Sequence, residues 1–364
     1  MREWVLLNPG PANTSPTVRQ ALVMPDLCHR EPECFDMVRS VRNRLVHLAG
    51  GGDAFSAVLL SGSGTAAVEA MIASVVPPAG ALLVVDNGVY GDRMARIAQA
   101  HRIRAYLISL DMTTPVEPSR VEAALSEHPD VSHVALVHHE TTTGLLNPLE
   151  AVARVVARHG RRLIVDATSS LFGEPLELTQ EGIDFVTASA AKCVQAVPGV
   201  AFVLGRRSAL EALRDREPRS VYLDLYAHWS AQEADNTPFT PAVQVLHALE
   251  QALVELEGEG VARRIGRYTE NARVLRQGMG RLGFEAIVPE GARSSILTTF
   301  RLPPGVTYEA LHDAMKRRGY IIYAGQGKIR TYAFRVSNIG TLTPADMEKV
   351  VAVFASCLEE LGVA

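Results

Sequence analysis

The sequence predicts an α/β protein built on a mostly parallel sheet, and three observations carry that expectation. Short apolar runs of buried-strand length recur between residues 57 and 204. Amphipathic stretches long enough for helices lie between them. Helix-stopping residues such as Gly50-Gly51-Gly52 and Pro77-Pro78 mark where one element gives way to the next. Strands that are apolar on both faces and joined by helices belong to a parallel sheet covered on both sides.

In chain order, Ser15-Pro16 offers an N-cap and a proline at the first helical position, so a short helix begins there. Val38, Val41, Leu45 and Leu48 recur at helical spacing up to the three glycines. Ala57–Leu60 reads as a buried strand, followed by Ser61-Gly-Ser-Gly-Thr65 and a helix from Ala66 to Val76 that Pro77 stops. The alternation continues with strand Leu82–Val85, a helix through Met94 to Ala100, and strand Ala105–Ser109. A helix near Val121 to Ser126 leads to strand His133–Val137, and one from about Leu149 to His159 to strand Leu163–Val165. Val200–Leu204 reads as an edge strand, with an antiparallel direction open to it. A long helix follows from about Val243 to Leu282, with Gly258 and Gly260 as a kink. Beyond Phe284 the order is strand, strand, helix, strand, strand, helix, the last helix capped by Thr343, Pro344 and Asp346.

A chain of 364 residues suits two domains. Its 47% hydrophobic and 21% charged content is that of a globular protein rather than a disordered one. A net charge of −4 leaves no basic footprint for nucleic acid or an anionic membrane. No leader-like h-region and no apolar run near the roughly 18 residues of a membrane span is found. Cys28, Cys34, Cys193 and Cys357 lack zinc-like pairing and suit reduced thiols. The expectation is a cytoplasmic protein that binds small molecules.

Chemistry-bearing residues gather where strands end. Asp166 closes a strand that is buried on both faces, and Lys192 follows the next strand. A buried acid and a lysine so placed suit a pyridoxal phosphate site, the lysine reacting with the cofactor aldehyde and the acid holding the pyridine nitrogen protonated. The bland alternatives are a helix-capping aspartate and a surface lysine. Ser61–Thr65 joins strand to helix with small residues that let backbone N–H groups reach a phosphate, or is an ordinary glycine-rich turn. Tyr90, in Asn87-Gly-Val-Tyr-Gly91, either stacks on a flat ring or closes a loop. His138-His139 invites a metal reading, but sequence neighbours rarely bind one ion, and hydroxyls from Thr141-Thr142-Thr143 on a cofactor suit the loop better. No metal is expected.

Read together, the chain resembles the class V (fold type I) pyridoxal-phosphate aminotransferases, in particular the 2-aminoethylphosphonate–pyruvate branch. The resemblance runs from Leu7-Asn-Pro-Gly-Pro-Ala12 and Cys28-His-Arg-Glu-Pro-Glu33 through Gly62–Ala70, Asn87–Gly91 and His139-Glu-Thr-Thr-Thr-Gly144. It continues through Ile164–Ala167, Lys192-Cys-Val-Gln-Ala-Val-Pro-Gly199 and Phe334–Gly340. It implies a large domain over 16–260 with a mostly parallel seven-stranded sheet, a smaller C-terminal α/β domain over 261–364, and an N-terminal segment 1–15 near the site. It also implies that Lys192 and Asp166 are catalytic, that Ser63, Gly64 and Thr65 hold the phosphate, that Tyr90 stacks on the ring, and that Thr142 contacts the ring hydroxyl. Thr240 would reach the phosphate of a neighbouring subunit, making the active unit a homodimer. Arg335 would clamp the acidic group of the substrate, a surface ion pair being its bland reading, with Arg30 as a second cation and Gly10 beside the substrate. His29 is as readily structural.

The activity this implies is transfer of the amino group of 2-aminoethylphosphonate to pyruvate. Its rivals are the same chemistry on another small amine or amino acid, of the alanine or serine–glyoxylate kind, and a lyase or desulfurase on this scaffold. One departure stands out: Ala191 occupies the place before the lysine where the branch carries Asn or Gln. Thr237 and Tyr332 are unusual for the branch as well.

Overall fold

A computed structural model of the chain describes residues 4–363. Seven strands form the central sheet: β1 (Phe55–Gly62), β2 (Ala81–Asp86), β3 (Ala105–Ser109), β4 (Val131–Val137), β5 (Arg162–Asp166), β6 (Ile183–Ser189) and β7 (Gly199–Arg206). Their spatial order is β1-β7-β6-β5-β4-β2-β3. Neighbours from β6 to β3 pair parallel, while β7 pairs antiparallel with both β6 and β1. The Val200–Leu204 run is therefore antiparallel but lies inside the sheet, and β1 takes the edge. The reason is length: the connection between Ser189 and Gly199 is too short for the crossover that a parallel neighbour needs.

Strand residues alternate between two cores. Ala57, Leu59, Leu83, Val85, Val134, Leu136, Val165 and Phe202 face one, packed under helices Pro32–Leu48, Leu149–Arg158 and Val243–Glu259. Val58, Leu60, Leu82, Val84, Ala135, Ile164 and Val203 face the other, under helices Gly64–Val75 and Val89–Ala100. Both faces are thus covered, which is what near-continuous apolar strands require.

The expected long helix is two, Val243–Glu259 and Val261–Arg281, with the break at Gly260, whose φ of +83° is open to glycine at little cost. The second helix packs with helices Tyr308–Arg317 and Pro344–Glu360 against a three-stranded antiparallel sheet of Leu297–Arg301, Ala333–Ser337 and Tyr323–Ala324. The strand expected just after Phe284 shrinks to a single bridge between Ala286 and Phe300. Phe284 instead centres a cluster, its ring 6.2, 5.5 and 5.7 Å from those of Phe300, Phe334 and Phe354. Helix Pro344–Glu360 starts with a capping box of Thr343 and Asp346. The N-terminal segment joins this C-terminal part: Val5–Leu6 pairs parallel with Tyr320–Ile321, and Leu7 is wholly buried in its core. Among the described residues no helix is long and apolar enough to cross a membrane.

Candidate active site

The carboxyl ends of β1, β5 and β6 share one rim with the start of β7: Gly62 pairs with Gly199, and Asp166 with Thr187. A cavity of about 240 Å³ opens there, lined among others by Gly10, Ser63, Gly64, Thr65, Tyr90, Asp166, Ala191 and Lys192. Open α/β sheets bind ligands at such a rim, where neighbouring connections leave in opposite directions.

Lys192 stands on the loop between β6 and β7 and donates from Nζ to the Pro9 carbonyl at 2.6 Å. Burial pushes its ammonium down to about 8, with the Arg335 and Arg93 charges adding to the effect and Cys193 and Asp166 opposing it. Gln195 ties the loop down: its φ is +66°, and its Nε2 donates to Tyr268 Oη at 2.6 Å and the Gly340 carbonyl at 2.8 Å. Gly10 presses on the lysine so closely that an added Cβ would lie 2.4 Å from Nζ, at a φ of +124°.

Asp166 is 6% exposed, and among the described residues its Oδ1 accepts from the Thr168 amide at 2.8 Å while Oδ2 has no bonded partner. Burial raises its pKa. A buried carboxylate with one oxygen unmet favours a cationic partner. Across the cavity, helix Gly64–Val75 begins at Ser63, which makes no side-chain cap bond. Gly64 lies so near the Asp166 loop that a Cβ would sit 2.6 Å from Thr168 Cγ2.

Glu140, for which the sequence suggested no role, fixes the first turn of the helix bearing Tyr90. One of its oxygens accepts from the Tyr90 and Gly91 amides at 3.1 and 3.3 Å, and the other from the Thr142 amide and hydroxyl at 3.0 and 2.6 Å. Burial draws its pKa up and the four donors draw it back. Thr142 is fully buried and does not line the cavity, since its hydroxyl also accepts from the Val89 amide at 2.9 Å. Its hydroxyl thus braces the Glu140 carboxylate and the Val89 amide. Thr143 turns to the Met112 carbonyl, 2.8 Å away.

The two histidines are structural in their contacts. His138 Nδ1 meets Ser170 Oγ at 3.0 Å, while His139 bridges Ser169 Oγ at 3.1 Å and Ser294 Oγ at 2.8 Å. Burial lowers them to about 4 and about 3, so both rings are neutral.

Arg335 is buried beside this site rather than on the surface. Nε donates to the Ala324 carbonyl, and Nη1 to the Thr141 carbonyl and Gln326 Oε1, each at 2.9 Å. Nη2 has no partner among the described residues. Arg30 and Thr240 stand apart from the cavity: Arg30 is exposed and holds the Thr237 carbonyl at 2.8 Å, and Thr240 Oγ1 lies 3.5 Å from His29 Nε2. Arg93, absent from the sequence reading, does line it. Its signal was the helical register, which puts it one turn beyond Tyr90. A larger cleft of about 740 Å³ lies around Arg39, Arg42 and Glu233, where these arginines are already paired with Asp235 and Glu233.

A mostly parallel sheet with a buried acid and a lysine at its carboxyl rim defines the fold class. The sequence profile of the family described as Aminotransferase class-V matches residues 17–336. The chain belongs to the class V aminotransferases. It is 43% identical to a 2-aminoethylphosphonate–pyruvate transaminase of Syntrophobacter fumaroxidans, over 99% of this chain and 97% of that one. It is 41% identical to a protein of the same name from Vibrio vulnificus, over 98% of both. Among solved structures it superposes on an aspartate aminotransferase of Thermus thermophilus with a TM-score of 0.90, at 28% identity, covering 98% of this chain and 99% of that one.

Proposed function

We propose that the protein binds pyridoxal 5′-phosphate in this cavity and transfers the amino group of 2-aminoethylphosphonate to pyruvate, giving phosphonoacetaldehyde and L-alanine. The observation that carries the reading is that Lys192, the half-satisfied Asp166 and the uncapped start of helix Gly64–Val75 line one cavity. Those groups fit an aldehyde, a ring nitrogen and a phosphate in turn. The choice of donor and acceptor rests on the names of the relatives that are 41–43% identical.

When bound, the cofactor supplies an electron sink for the charge left on the donor carbon as its proton departs. Lys192 Nζ, with a pKa near 8, has a neutral fraction able to attack a carbonyl and to take that proton. Asp166 would hold the ring nitrogen protonated. Ser63, Gly64 and Thr65 would receive the phosphate, and Tyr90 would cover the ring. Arg335, held by two carbonyls and Gln326, presents Nη2 to the substrate's phosphonate or carboxylate. Gly10 keeps the approach to Lys192 free of a side chain. Thr240 and Arg30, remote from their own cavity, belong in this reading to a site shared with a second subunit of a cytoplasmic homodimer. Segment 1–15, the sheet domain 16–260 and the domain 261–364 all contribute to the active site.

The test is a donor panel. Purified protein with pyridoxal phosphate is mixed with 2-aminoethylphosphonate and pyruvate, and alanine is measured against alanine–glyoxylate and serine–glyoxylate pairs. Turnover with the phosphonate and loss of activity in Lys192→Ala are expected. Faster turnover of an amino-acid donor, or ammonia release without acceptor, would overturn the assignment.

A further inference from the structure

Among the described residues, Arg93 is the one cation besides Lys192 on the wall of the cavity. It sits on helix Val89–Ala100, one turn past Tyr90, so both side chains leave the same face. Its guanidinium lies 4.6 Å from the centre of the Tyr90 ring, and Nη1 donates to Thr65 Oγ1 at 3.1 Å. No carboxylate lies within ion-pair distance of it among the described residues.

The place it reaches is built to receive an anion. Ser63 caps the Gly64–Val75 helix without a side-chain bond, and the Gly64 and Thr65 amides have no acceptor among the described residues. Ala191 presents only a methyl group to this cavity, where the branch resembled by the sequence has an amide side chain. A phosphate there carries nearly two charges, which backbone dipoles balance only in part. In the proposed reading Lys192 is taken up by the aldehyde, and Asp166 by the ring nitrogen. The charge that remains to meet the phosphate is that of Arg93.

We propose that Arg93 is the cationic member of the phosphate cradle, binding the cofactor phosphate together with Thr65 and standing in for the amide missing at position 191. The proposal rests on the reading of the cavity as a pyridoxal phosphate site. Its stacking on Tyr90 and its bond to Thr65 pre-set the guanidinium for the phosphate.

The experiment measures cofactor dissociation constants by absorbance titration for the wild type, Arg93→Gln and Arg93→Lys, using pyridoxal phosphate and phosphate-free pyridoxal. Arg93→Gln is expected to weaken pyridoxal phosphate about ten- to hundredfold, the value of a lost charge-assisted bond. Arg93→Lys should recover much of that loss, and pyridoxal itself should bind all three proteins alike. Equal weakening of pyridoxal would make Arg93 merely structural and overturn the proposal. Unchanged pyridoxal phosphate affinity with a raised KM for 2-aminoethylphosphonate would assign Arg93 to the substrate and overturn it too, leaving the cofactor site intact. A wild type that binds no pyridoxal phosphate would overturn the reading of the cavity and the proposal together.

Discussion

Replacing Glu140 by glutamine probes how the first turn of the Tyr90 helix is held, because the change keeps the shape and removes one acceptor. In the native protein each carboxylate oxygen accepts two bonds, from Tyr90 and Gly91 on one side and from Thr142 on the other. The least costly glutamine turns its NH2 toward Thr142, whose hydroxyl can rotate and accept while the Thr142 amide is left facing a donor. An unsatisfied buried N–H costs about 1–3 kcal/mol. The two bonds to Tyr90 and Gly91 fall from charge-assisted to neutral, about 1 kcal/mol each. Relief of the buried charge offsets part of this, so the expected loss is about 2–4 kcal/mol. Urea unfolding without cofactor, read as the midpoint shift multiplied by the slope, measures it. A midpoint equal to that of the wild type would refute the idea that these four bonds hold the helix start.

Three further outcomes are expected. Arg335→Ala should raise KM for 2-aminoethylphosphonate about ten- to hundredfold, and Arg335→Lys should rescue little, because an ammonium cannot hold the Thr141 and Ala324 carbonyls and still face a ligand; initial-rate kinetics decide this, and an unchanged KM would count against it. Gly64→Ala places a methyl 2.6 Å from Thr168 Cγ2, so the Thr168 side chain beside Asp166 must move and pyridoxal phosphate should bind at least about tenfold more weakly in a spectral titration. His138 and His139 are neutral in the fold down to about pH 4 and 3, whereas the unfolded chain takes up these protons near 6.5. Their contribution is thus complete above about pH 6.5 and is lost as pH falls toward 4. Melting temperature against pH should show that slope, and His139→Gln should flatten it.

The strands were legible because runs such as Leu82–Val85 are apolar on both faces, and only a sheet covered on both sides buries them so. The placing of Val200–Leu204 inside the sheet was not, since an apolar run does not name its neighbours; the short link after Ser189 held that information. Between Gly258 and Gly260 composition offers no choice, and only the left-handed backbone at Gly260 makes the break. At the rim, Asp166, Lys192, Ser63–Thr65 and Tyr90 could be gathered because each follows a strand. Thr142 also follows a strand, yet the Glu140 carboxylate two residues earlier claims its hydroxyl. Position along the chain says which rim a side chain reaches, not which partner has already taken it.

The bond from Lys192 to the Pro9 carbonyl has a mechanical consequence. The segment bearing that carbonyl is stitched to the C-terminal part by the pairing of Val5–Leu6 with Tyr320–Ile321 and by the Ser337 amide, 2.7 Å from the Leu7 carbonyl. Ser337 lies two residues beyond Arg335 on the same strand. The strand that carries Arg335 and the Lys192 amine are thus joined through the short stretch from Leu7 to Pro9. In the proposed function, a shift of the strand holding the substrate's acidic group would move the lysine nitrogen with it.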